Sequence, residues 1–95
     1  MSNSENVLIQ SAMYGDGVGV AKLLLGGCNP NCVDAECLTP LHMASVNNHA
    51  VIVALLILAG ADVDADGPVG MTPLAIARAN HAVEAESMLV LGGAA

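Results

Sequence analysis

Ninety-five residues hold one small core and exclude a second domain, because a chain of this length buries only about two-thirds of the surface its unfolded form exposes. A composition 55% hydrophobic and 12% charged excludes disorder. Lys22 and Arg78 stand against nine acidic residues, and the net charge of -7 disfavours partners that present phosphate, so neither nucleic acid nor a lipid surface is expected.

Taken in chain order, the opening MSNSENVLIQ lacks the basic start and apolar block of a secretory signal. Three cysteines, an odd number, fit free thiols better than a disulfide framework. The expected location is therefore an intracellular, reducing compartment, either the cytoplasm or an organelle stroma reached by processed import. Gly15, Gly17 and Gly19 follow a helical stretch rather than a strand, so they read as an inter-helix turn running into a weakened second helix, not as a phosphate cradle. The Leu/Val-rich helix after them stops at Gly27, a residue that adopts the left-handed conformation closing a helix. The polar stretch CNPNCVDAEC then predicts a hairpin-like extension.

Thr39-Pro40 predicts a new helix start, with the hydroxyl as cap and proline at the first helical position. A second apolar helix ends at Gly60, and ADVDADGPVG supplies another turn-rich extension. The longest apolar run, Ala50 to Ala61, is 12 residues, short of the roughly 20 that span a bilayer, so no membrane insertion is expected. Thr72-Pro73 and Gly93 mark the start and end of the last helix pair.

These marks recur at a fixed offset. Thr39-Pro40-Leu41 returns as Thr72-Pro73-Leu74, Ala44 as Ala77, Leu56 as Leu89, and Gly60-Ala61 as Gly93-Ala94, each 33 residues on. The same step backwards reaches Leu8, Leu23 and Gly27. The chain therefore divides into units of approximately 1–33, 34–66 and 67–95 within one domain, each reading helix, turn, helix, finger.

LTPLHMASVNNHAVIVALLILAGADVDA resembles the ankyrin repeat, whose signature is a Thr-Pro-Leu-His start, a Gly-His turn and a Leu-Leu…Gly-Ala-Asp end. The resemblance covers nearly the whole chain, although Asn6-Val7 stand where the first unit lacks Thr-Pro. It implies an all-α solenoid with helices in two layers and fingers to one side, used for protein binding and not catalysis. Carried over residue by residue, the concave binding positions are Met13 and Tyr14, Val46 and Asn47, and Ala79 and Asn80. The finger positions are Glu36 and Leu38, then Val69 and Met71. Tyr14, the sole aromatic, suits an interface anchor because a rigid ring is buried there at small entropic cost. The competing reading is that Met13 and Tyr14 cover the end of the stack.

Other chemistry is weaker. Cys28, Cys32, Cys37 and His42 have a spacing unlike the paired-cysteine zinc sites, and the resemblance makes His42 a structural hydrogen-bonder between finger and helix start. No C-x-x-C pair and no cationic neighbour point to a reactive thiol. His49 and His81 at the inter-helix turns, with Ser45 and Asp62 as the candidate nucleophile and orienting acid, give at most fragments of a hydrolase. Asp62, Asp64 and Asp66 alternate as in a calcium loop but lack its closing glutamate. No catalytic residue, cofactor or metal is expected.

The second helices carry an unexpected pattern. Val18, Ala21 and Leu25, and then Val51, Ala54 and Leu58, align on one helical face where charged residues are usual in a free-standing member of such a family. Only the third unit departs, with Glu84 and Ser87 before Leu91. A contiguous apolar stripe over neighbouring helices points to burial against another protein. Two functions compete: a free adaptor, scaffold or inhibitor that binds a partner in its groove, and a small structural subunit or assembly factor held in a larger complex by its convex face.

Overall fold

The computed structural model describes residues 3–94; the outermost residues of the first and third units, 1–2 and 95, lie outside the described residues. Each second helix ends in the same way. Gly27, Gly60 and Gly93 adopt φ of 91°, 98° and 98°, conformations that a Cβ would oppose. The reversal lets Cys28, Ala61 and Ala94 donate their N–H groups to Leu23, Leu56 and Leu89 at 2.9–3.0 Å. Carbonyls that a helix end leaves without partners are thereby satisfied three times over.

The elements in order are α1 (Asn3–Tyr14), α2 (Gly17–Leu25), α3 (Pro40–Val46), α4 (Ala50–Leu58), α5 (Pro73–Ala79) and α6 (Val83–Leu91). A 3-10 turn, Pro68–Gly70, lies in the second finger. No strand occurs among the described residues, so the fold is all-α. The Thr-Pro pairs act as expected: Thr39 and Thr72 accept the N–H groups of His42 and Ala75, both at 3.2 Å. Proline one residue later prevents either helix from starting earlier. Without that block, α1 runs straight through Asn6 and Val7 and is 12 residues long, against 7 for α3 and α5.

Helix α3 packs between α1 and α5, and α4 between α2 and α6. Two parallel layers result, α1–α3–α5 and α2–α4–α6, joined within each unit. Leu8, Leu41 and Leu74, one from each unit, are buried between them, as are Val53, Leu56 and Leu89. With no Phe or Trp in the chain, the core rests on aliphatic side chains, each contributing about 1.5–3 kcal/mol when fully buried.

Polar side chains tie the units together. His42 receives the N–H of Thr39 on Nδ1 at 3.1 Å. A backbone N–H can only donate, so Nδ1 is unprotonated and Nε2–H donates to the carbonyl of Met71 at 2.8 Å. Between units one and two, Asn31 donates to the Gly60 carbonyl at 3.1 Å and accepts from Asp62 N–H at 2.7 Å. His49 adds a contact from Nε2 to the Met13 carbonyl at 3.1 Å. Its ring lies so close to Gly15 that a Cβ there would meet it at 2.8 Å.

The two turn histidines are not equivalent. Stepping 33 residues from His49 reaches Ala82, and stepping back from His81 reaches Asn48. Asn48 and His81 both take positive φ, 58° and 54°, whereas His49 precedes α4 at its N-cap. His81 is exposed; His49 is half-buried.

Candidate protein-binding surfaces

Two faces of the stack present side chains that the core does not use. On the first-helix side, 33-residue equivalence places Met13, Val46 and Ala79 in one row across α1, α3 and α5, and Tyr14, Asn47 and Asn80 in the next. Met13 and Val46 are half-buried, and Ala79 is exposed. Asn47 and Asn80 turn their amides back on their own helices, donating to Met43 and Ile76 carbonyls at 3.0 and 2.9 Å. Tyr14 stands at the same position with 77% of its surface exposed. A ring so exposed covers little of the neighbouring stack.

The fingers close alike. Asp34 N–H donates to Leu38 and Gly67 N–H to Met71, at 3.0 and 2.9 Å. Asn29 and Asp62 open them by accepting the N–H two residues on, at 2.9 and 3.0 Å, a local turn favoured by short amide and carboxyl side chains. Glu36 is exposed at the first tip, while Leu38 and Met71 are half-buried where the fingers return. Val69 is 98% exposed at φ 51°. A β-branched residue in the left-handed region is strained by about 1–3 kcal/mol. The fingers, residues 28–39 and 61–72, also hold five of the nine carboxylates and neither cationic side chain.

On the second-helix side, Val18, Leu25, Val51 and Leu58 are 67%, 89%, 72% and 84% exposed. Ala21 and Ala54 lie half-buried between them. A groove of about 390 Å³ runs between α2 and α4, lined by Ala21, Leu24, Leu25, Leu55, Leu58 and Ala59. Leu24, Leu55 and Ala59 did not stand out in the sequence, although each neighbours the expected stripe along its helix. Leu91, 81% exposed, extends the leucine row onto α6. Glu84 interrupts the valine row, and Asn48 holds it by donating from Nδ2 at 2.6 Å. That hydrogen bond keeps the Glu84 carboxyl below its usual range. The Oδ1 of Asn48 accepts Ala85 N–H at 3.0 Å, capping α6 from the neighbouring unit.

The residues considered for chemistry are dispersed or already engaged. Both ring nitrogens of His42 are bonded, and burial pushes its pKa down. Cys32 is buried, which pushes its thiol up to about 11 and away from the reactive thiolate. Cys28 is half-buried and Cys37 exposed. Ser45 is fully buried, its hydroxyl donating to the Leu41 carbonyl at 2.6 Å. Among the described residues, no three His, Cys, Asp or Glu side chains gather as metal ligands. No helix of the described residues is long and apolar enough to cross a membrane.

A family model described as ankyrin repeats in three copies matches residues 8–94. No curated protein matches the chain significantly.

Proposed function

The chain belongs to the ankyrin-repeat family, and from that membership we propose that it is a non-enzymatic binding module gripping another protein between its finger tips and its first-helix rows. The reading rests above all on Tyr14. It projects from the row at 77% exposure, whereas its equivalents Asn47 and Asn80 are folded back onto their helices. An exposed aromatic ring has a large interface contribution to make and none to the core. Met13, Val46 and Ala79 supply the flanking row, Asn47 and Asn80 polar contacts, and Leu38, Val69 and Met71 apolar finger contacts. Glu36 and the surrounding carboxylates favour a partner segment with basic side chains. Neither nucleic acid nor a membrane enters this reading. Three free thiols support a reducing compartment.

A second reading makes the chain a permanently held subunit, and the exposed aliphatic stripe on α2 and α4 favours it. The two readings separate on mutation. The tagged chain, expressed in its source cells, is cross-linked and its bound proteins are identified for wild type, Tyr14→Ala/Val69→Asp and Leu58→Glu. Groove binding predicts a partner retained by Leu58→Glu and lost from the double variant. A partner lost only on Leu58→Glu overturns groove binding in favour of the held subunit.

A further inference from the structure

The outer face of α2, α4 and α6 is built in three rows. Val18, Val51 and Glu84 form one edge, Ala21, Ala54 and Ser87 the middle, and Leu25, Leu58 and Leu91 the other edge. The leucines stand at 89%, 84% and 81% exposure, and small residues leave a trough beside them that opens into the groove between α2 and α4.

We propose that this face is the contact between two copies of this chain, related by a two-fold axis running along the stack between the small-residue and leucine rows. Each copy then seats its leucine ridge in the trough of the other. Helix spacing selects this occupant. Leucine knobs and small-residue holes both recur once per unit, at the distance between packed helices, about 8–10 Å. A second copy shares that spacing and places three knobs over three holes, the reciprocal contact a two-fold requires.

Charge and area agree with the assignment. Two chains of charge -7 repel unless their carboxylates lie elsewhere. Five of them are in the fingers, and Glu84 at one edge is the only carboxylate in the three rows. A fully buried Val or Leu side chain removes roughly 60–120 Å² from water, so Val18, Val51 and the three leucines present on the order of 250–450 Å² per copy. Doubled and joined by the trough walls, that surface reaches the total of about 1,000 Å² at which specific interfaces begin.

Sedimentation equilibrium of the full chain across the micromolar range tests the proposal, with helicity followed by circular dichroism. The expected result is twice the chain mass for wild type and for Tyr14→Ala. Leu58→Glu, at an exposed site, is expected to keep its helicity and weaken association at least about 100-fold. Ala54→Leu adds apolar surface but fills the trough; it too is expected to dissociate the pair, whereas an indiscriminately adhesive face would associate more strongly. A wild-type monomer at hundreds of micromolar overturns the proposal. So do open-ended oligomers, or a dimer indifferent to Leu58→Glu and Ala54→Leu.

Discussion

The two layers of the stack spend the same repeat differently. In the first-helix layer, polar groups are mostly tied down: the exposed Asn47 and Asn80 bond their own helices, and the buried His42 bridges a finger to the next unit. In the second-helix layer, α4 carries no charged side chain, and its Val51 and Leu58 face solvent at 72% and 84% exposure. Buried and exposed leucines thus lie two residues apart, Leu56 at 0% and Leu58 at 84%. Hydrophobicity alone says little about which residues hold the fold; position in the 33-residue frame says much more.

The contrast breaks most sharply within α4. Leu56→Ala is expected to destabilise the fold by about 3–5 kcal/mol in chemical denaturation. Leu58→Ala is expected to change monomer stability by less than about 0.5 kcal/mol. Similar costs for the two would erase the distinction between core and exposed face.

The next effect tests the polar ties of the first layer. His42→Ala leaves the Thr39 N–H and the Met71 carbonyl without their ring partner and is expected to cost about 2–3 kcal/mol. It also carries a pH signature. Burial lowers the His42 pKa from its ordinary 6.5, so the unfolded chain binds a proton more readily than the folded one. This contribution to stability is therefore complete above pH 6.5 and lost as pH falls through the lower folded value. Urea midpoints measured downward from pH 7 are expected to fall in wild type, with the histidine component absent in His42→Gln.

Gly15 occupies the turn between the layers. Its φ of 82° opposes a side chain, and so does the His49 ring, which would stand 2.8 Å from a Cβ added there. Gly15→Ala is expected to cost about 1–2 kcal/mol, read as a lowered denaturation midpoint. The smallest effect is at the outer face of the third unit. There Arg78 and Glu86 form an exposed ion pair at 3.0 Å, where the second unit buries Ser45 and Val53. Arg78→Ala is expected to shift stability by no more than about 0.5 kcal/mol, and less in high salt.

Much of this was legible in the sequence because the signals are local. A Thr-Pro pair is both cap and block, and a glycine after an apolar helix supplies the reversed φ; neither needs a distant partner. The stripe of Val18, Leu25, Val51 and Leu58 was legible for the same reason, since helical spacing and the repeat are sufficient to align it. Register at the turns was less accessible. His49 and His81 look alike in sequence, yet one contacts Met13 and the other occupies the left-handed position of Asn48.

Periodicity and capping act over a few residues, so three helix pairs, the Thr-Pro starts of α3 and α5 and the glycine stops of α2, α4 and α6 follow from local sequence alone. Packing between units settled what spacing could not: Asn48 Oδ1 caps a helix by accepting an N–H 37 residues on, and His49 Nε2 reaches the Met13 carbonyl of the unit before it. Those outcomes depend on how neighbouring units pack, a relation between residues far apart in the chain.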